Sequence, residues 1–225
     1  MKRCDIQFCG LPASGKTTVI NSMVDAEPNK YRRGKIYVFK KIDLLEFPRQ
    51  LVETVFDSYF IYYSFVNYIY MFKSGLGIRF SIENQVSCLY NIINYKIDKK
   101  KCKDDDRIVL WDEFLLQRVY SLAGYSFSSS PPFGVENLLR FSRSRMKSVC
   151  LQPRDIGGYY ARLKKRGLTE RMRHFGNGDL EKIINSHLRF NSAFVSNESK
   201  VFHTCESNIN IYQKIGSHIS HIVST

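Results

Sequence analysis

The residues best suited to chemistry lie near the start of the chain, in Gly10-Leu11-Pro12-Ala13-Ser14-Gly15-Lys16-Thr17-Thr18. A glycine, four intervening residues and then Gly15-Lys16-Thr17 is the spacing of a loop that wraps phosphate groups. Its glycines let the backbone curl so that successive N–H groups point inward at an anion. Lys16 is placed to reach β- and γ-phosphates, and the Thr17 hydroxyl to take a position on Mg2+. The whole run from Gly10 to Thr18 is therefore the expected binding segment for a nucleoside triphosphate.

Such a loop works only between a strand and a helix. The apolar run Ile6-Gln7-Phe8-Cys9 supplies the strand. Val19, Ile20, Met23 and Val24 supply a helical repeat from about Lys16, whose positive end faces the same phosphates. Asp25-Ala26-Glu27-Pro28 ends that helix.

A second chemical element is Arg107-Ile108-Val109-Leu110-Trp111-Asp112-Glu113. Continuous hydrophobicity marks a parallel strand buried on both faces, and its acids fall where open α/β sheets place their ligands. Asp112 is the expected Mg2+ partner, acting through a water. Glu113 either orients or deprotonates the nucleophile, or caps the helix that begins at Phe114.

A third element is basic. Beyond the strand Ser148–Gln152 and Pro153, Asp155 is placed to cap a helix bearing Arg162 and Arg166 on one face. Gly167 closes it, and Arg171 and Arg173 follow. Arginines so grouped can neutralise the equatorial oxygens of a transferring phosphoryl group; a solvated basic helix is the plainer alternative.

The remaining elements frame these three. Lys35–Lys40 reads as a strand, and residues 43–96 read as helical. Within them Ser58–Phe72 is uncharged, crowded with Tyr and Phe, and shorter than the roughly 20 residues of a membrane span. It reads as a helix buried between others, with a membrane-surface or partner-binding helix as the alternative. Ser74-Gly75-Leu76-Gly77 breaks the helical region, and Lys99–Asp106 reads as a solvated loop. Helices are expected at Gly134–Ser144, around Leu180, Ile183, Ile184 and Leu188, and over Ile209–Val223, with a last strand at Lys200–Thr204.

At 225 residues the chain suits one α/β domain with an inserted helical region. Its net charge of +13 calls for polyanionic partners, whether nucleotides, nucleic acid or an anionic lipid surface. Six scattered cysteines without a CxxC pair indicate neither a disulfide framework nor a zinc site. Cys4, Cys9, Cys150 and Cys205 read as core residues and Cys102 as exposed. The five histidines lack metal-ligand spacing. The start of the chain has no signal-peptide pattern and no transmembrane run is evident, so a cytoplasmic location is expected.

The order of strand, phosphate loop, acid-tipped strand, then strand and arginine-rich helix resembles the P-loop nucleoside and nucleotide kinases. Tyr160-Ala161-Arg162-Leu163-Lys164-Lys165-Arg166-Gly167 is similar to the segment leading into the lid of thymidylate kinases. Asp112-Glu113-Phe114-Leu115-Leu116-Gln117-Arg118 resembles the acid-tipped strand of small thymidylate-kinase-like proteins encoded beside glycan-biosynthesis genes. The likeness spans residues 1–25, 107–122 and 147–205; where thymidylate kinases carry Asp-Arg, this chain has Asp112-Glu113.

The resemblance implies a three-layer α/β P-loop NTPase fold with a five-stranded parallel sheet in the order 2-3-1-4-5. It implies one kinase-like domain over residues 1–225, with a helical acceptor-binding insertion at 41–106 and an arginine-rich lid at about 154–178. The implied activity is ATP- and Mg2+-dependent phosphoryl transfer to a small-molecule acceptor, a nucleoside or nucleotide first. Lys16, Asp112, Glu113, Arg162, Arg166, Arg171 and Arg173 would be its catalytic residues, with Thr17 and Asp112 placing the metal. The alternatives are a nucleotide-dependent ATPase or switch acting on nucleic acid or a membrane, a sugar or antibiotic hydroxyl kinase, and an inactive nucleotide-binding relative.

Overall fold

The computed structural model describes residues 4–11, 13–35, 46–74, 78–112, 114–125, 134–153, 155–166, 181–182, 184–189, 201–204 and 210–224. Five parallel strands form its sheet: β1 (Asp5–Gly10), β2 (Tyr31–Arg33), β3 (Ile108–Asp112), β4 (Lys147–Pro153) and β5 (Val201–Thr204). Their order is β2-β3-β1-β4-β5, as the sequence led one to expect. The described helices are α1 (Lys16–Ala26), α2 (Glu46–Val55), α3 (Ser58–Ser74), α4 (Ile78–Lys101), α5 (Leu115–Tyr125), α6 (Val135–Arg145), α7 (Ile156–Arg166) and α8 (Asn210–Ser224). Residues 184–189 are helical as well.

Alternate residues of each central strand feed two cores, so the strands read as continuous apolar runs. Ile6 and Phe8 of β1, Ile108 and Leu110 of β3, and Val149 and Leu151 of β4 face α1 and α8, where Val19, Ile20, Ile215 and Ile219 close the layer. Cys9, Val109, Trp111 and Cys150 face the opposite way, toward α3, α4, α5 and α6. Each fully buried Ile, Leu or Phe contributes about 1.5–3 kcal/mol. The result is the three-layer arrangement, with the C-terminal ends of all five strands on one edge.

Three buried or partly buried polar clusters tie the helices to the sheet and to one another. Gln7, fully buried on β1, accepts a hydrogen bond from the Leu116 N–H at 2.9 Å and donates to Ser142 Oγ at 3.0 Å. One side chain thus ties the start of α5 and the end of α6 to the central strand. Arg32 of β2 grips Asp98 of α4 through both guanidinium nitrogens, at 3.2 and 2.8 Å, and its Nε lies 2.7 Å from Asp105 Oδ2. Asp57 caps α3 by accepting from the Tyr59 N–H, takes a two-pronged contact from Arg145 at 2.7 and 3.0 Å, and lies 3.7 Å from Lys96.

Four expectations are corrected. The second strand is Tyr31–Arg33, pairing with Ile108–Leu110, with Lys35 beyond its end; residues 36–40 lie outside the described residues. Lys99, Lys100 and Lys101 form the last turn of α4 rather than a loop, where their charges complement the negative end of the helix. Asp105 is likewise no solvated residue, because Arg32 and Arg107 both hold it, and Cys102 is half-buried. Nor is the Tyr-rich helix wholly buried. Tyr59, Tyr63, Val66 and Tyr70 of α3 are in the core, whereas Ile61, Phe65, Tyr68 and Phe72 face outward. Apolar residues on every side had erased the periodicity that would separate the two faces.

The carboxylates make stability acid-sensitive. Burial alone would raise the Asp57 carboxyl, but hydrogen bonds and charge from Arg145, helped by the Tyr59 N–H and Lys96, hold it below its ordinary range. Hydrogen bonds from Arg107 hold Asp105 at about 2. Both groups are depressed in the folded state, so their contribution is present above the ordinary carboxylate pKa and lost as pH falls through the folded values. Thermal melts should therefore show Tm falling as pH drops from about 4 toward 2. Asp57→Asn should lower Tm at pH 7 and flatten that fall; an unchanged acid profile would show that the Asp57 cluster adds nothing.

Candidate functional site

β1 ends against β4, and the end is built for a residue without a side chain. A Cβ on Gly10 would stand 2.1 Å from the Leu151 carbonyl oxygen, at a φ of 142°. Ala13 (φ 60°) and Gly15 (φ 89°) are both left-handed, and Gly15 leads into the first turn of α1. A non-glycine residue in that region is uncommon and clusters at functional turns. Reversals of hand at 13 and 15 are what bend a backbone into an anion-binding concavity at a helix start.

The loop is fastened on three sides. The Gly10 N–H donates to Gln117 Oε1 at 3.1 Å, a bond from the first turn of α5. Leu11 is buried and packs with Tyr159 and Leu163 of α7 and with Ile184, while Ala13 touches the same cluster. Lys16, 5% exposed, donates from its ammonium to the Gly10 and Leu11 carbonyls at 3.0 Å each, so its charge sits over the curl of the loop. Pro12 lies outside the described residues.

Asp112 arrives at the same edge because β3 is parallel to β1 and in register with it, Phe8 opposite Asp112. Its neighbour Trp111 fixes the end of the strand. The indole N–H donates to Asp5 Oδ1 at 3.0 Å, and the ring meets Tyr95 and Phe114 with centroids 5.8 and 5.3 Å away. The Thr17 hydroxyl then donates to Asp112 Oδ2 at 2.5 Å, and Arg33 Nη2 lies 3.3 Å from that oxygen. Arg33 also donates to Asn21 of α1 at 3.3 Å. The second carboxylate oxygen, Asp112 Oδ1, is buried with no hydrogen-bond partner among the described residues.

An unpartnered carboxylate oxygen beside a threonine hydroxyl is a pair of hard oxygen donors. That set suits Mg2+, which takes one or two protein carboxylates, keeps several waters and shares substrate phosphates. Among the described residues no group of three or more His, Cys, Asp or Glu could hold a metal, so no all-protein cage competes for one.

The expected lid is described only at its root. The Asp155 carboxylate accepts from the Gly157 and Gly158 N–H groups at 2.9 and 2.8 Å, capping α7 as anticipated. Arg162 lies half-buried on α7 and reaches back over its first turn, with Nη1 3.7 Å from where a Cβ on Gly158 would stand. Arg166 ends α7. Glu113, Arg171 and Arg173 lie outside the described residues, as do Gly167 and Cys205. The loop, Thr17 and Asp112 are thus brought together, and α7 is packed on the loop through Leu11.

Sequence reasoning missed two side chains. Arg33 escaped because the short strand that it ends was placed four residues too late. Gln117 escaped because nothing in a helix repeat tells that one polar residue turns back to the main chain of β1.

No protein-family model matches the sequence, and no curated protein matches it by sequence. The fold does have solved counterparts. A deoxyadenosine kinase from M. mycoides with bound dATP superposes with a TM-score of 0.50 at 13% identity, over 96% of this chain and 100% of that one. Thymidylate kinase from Ehrlichia chaffeensis superposes with a TM-score of 0.50 at 13% identity, over 97% of this chain and 100% of that one. The chain therefore has the three-layer α/β fold that these two P-loop kinases share.

Proposed function

We propose that this protein transfers the γ-phosphoryl group of ATP to a small-molecule acceptor, a nucleoside or nucleotide. The observation that carries the reading is the meeting of Lys16, Thr17 and Asp112 around one left-handed loop at the C-terminal edge of the sheet. Lys16 and the loop N–H groups bind the phosphates, and the N-terminus of α1 adds its dipole. Thr17 and Asp112 would hold Mg2+, which would supply neutralisation of phosphate charge. Arg33, 3.3 Å from Asp112 Oδ2, orients that carboxylate. Residues 41–106 hold the acceptor on the other side of the transfer. Residues 154–178 act as a lid, in which Arg162, Arg166, Arg171 and Arg173 neutralise developing charge and exclude water. Glu113, next to Asp112, serves the acceptor hydroxyl as base.

Mg-ADP at a hundredfold excess over its Kd should add about 2.7 kcal/mol and raise Tm by roughly 5–10 °C. Lys16→Ala should remove most of that shift from a protein that still folds. A wild type whose Tm ignores millimolar nucleotide would overturn the reading at its root.

Asp112→Asn should abolish the Mg2+-dependent part of nucleotide affinity. Gln117→Leu, which leaves the Gly10 N–H without its acceptor, should weaken ADP binding with and without Mg2+ by about tenfold, a loss of about 1.4 kcal/mol. Isothermal titration with and without the metal separates the two, and identical profiles would show that the assignments are wrong.

For the lid, Arg162→Ala or Arg171→Ala should lower kcat at least tenfold with a much smaller change in ADP affinity. Turnover is read with a panel of nucleosides and nucleotides and with added nucleic acid. Polymer-free ATP turnover that survives both changes, paired with lost nucleic-acid binding, would identify an ATPase instead.

A further inference from the structure

Arg33, the last residue of β2, sets its guanidinium against the acid end of β3. The main chain around it is pinned on both sides. Arg32 before it is buried and held by Asp98 and Asp105. Gly34 after it donates its N–H to the Leu110 carbonyl at 2.9 Å and lies close on the Trp111 indole, where a Cβ would stand 2.5 Å from the ring. The Lys35 N–H then meets Asp98 Oδ1 at 3.4 Å. From this fixed base the Arg33 side chain spans two neighbours, with Nη2 3.3 Å from Asp112 Oδ2 and Nη1 donating to Asn21 Oδ1 of α1 at 3.3 Å. Asp112 Oδ2 therefore carries both Arg33 and the Thr17 hydroxyl, while Oδ1 is buried with no hydrogen-bond partner among the described residues.

Building on the phosphate loop as a nucleotide site, we propose that Arg33 is the counter-charge of Asp112, a positioning residue that lets nucleotide bind before metal and holds down the affinity of the site for Mg2+. A bare carboxylate at the edge of the loop would repel the phosphates of a metal-free nucleotide. Arg33 cancels that charge from the Oδ2 side and leaves Oδ1 open. The same guanidinium repels a divalent cation received at Oδ1 and Thr17. One residue thus acts with opposite sign on two ligands of the same edge. Arginine suits the task because it is always charged and its planar fork can meet Asn21 and Asp112 at once. Its side chain is 43% exposed, so solvent and salt moderate both effects. Because the two affinities are linked through one complex, the effects offset when nucleotide and metal are bound together.

Isothermal titration with ADP in EDTA should show Arg33→Met binding roughly tenfold more weakly than wild type. Titration with Mg2+ alone, followed by the fluorescence of Trp111, the single tryptophan of the chain and the neighbour of Asp112, should show the same variant binding the metal roughly tenfold more tightly. Affinity for Mg-ADP should move by less than about threefold, and Arg33→Lys, which keeps the charge, should stay within about threefold of wild type throughout. A purely structural role would weaken ADP and Mg2+ together, and that result would overturn the proposal. So would affinities in Arg33→Met that match wild type, or a loss of ADP affinity equal with and without Mg2+, which marks a direct phosphate contact. A wild type that binds no ADP would overturn the reading of the loop and the nucleotide half of this proposal with it. Normal ADP binding by wild type with unchanged or weakened Mg2+ affinity in Arg33→Met would overturn this proposal alone.

Discussion

One steric constraint governs the chemical edge of this protein: at Gly10, β1 and β4 approach so closely that no Cβ fits beside the Leu151 carbonyl. The chain must therefore leave the sheet there, and it leaves through left-handed conformations at Ala13 and Gly15. The two positions make different demands. Gly15 has open space where a side chain would stand, so its constraint is the backbone angle alone, whereas Gly10 is limited by angle and space together. Any residue other than glycine at position 10 would push β1 and β4 apart, and with them the registration that brings Asp112 to Thr17.

The supports of that edge are mostly made by groups outside it. Gln7 and Gln117 each spend a buried side-chain amide on holding a helix to β1, and Trp111 wedges the end of β3 among Tyr95, Phe114 and Asp5. An unpaired buried polar group costs about 1–3 kcal/mol, so these amides are tolerable only because each finds its partner. The same reasoning applies to Arg32, whose buried charge is met by Asp98 and Asp105. Losing Asp98 alone would leave that buried cation with Asp105 as its one remaining ion-pair partner among the described residues, a larger penalty than the net worth of the pair.

Much of this was legible in the residues. The glycine and lysine spacing at 10–17 revealed the loop, and the unbroken apolar run 108–111 revealed a strand buried on two faces. The short β2 was not legible, because three residues carry too little pattern to compete with the richer run at 35–40. The outward half of α3 was hidden for the opposite reason, since tyrosine and phenylalanine on every side look the same whether they meet a core or solvent. Long-range bonds such as Thr17 to Asp112, 95 residues apart, follow from strand register, which single-chain periodicity does not contain.

The placement of charge in the helical layer has a mechanical consequence. Asp57 at the start of α3 and Asp98 near the end of α4 bind Arg145 and Arg32 at one end of the antiparallel pair. The other end, at Ser74 and Ile78, lies a full helix away, about 25 Å at 1.5 Å per residue. Treated as a lever, the pair would turn about an ionic pivot. A rocking of about 5° about that pivot would carry the distant tips by about 2 Å while stretching the pivot bonds hardly at all. Because Asn67 and Ser81 join the two arms partway along, they would swing as one piece. A force applied at the exposed tips would then act on both helices together.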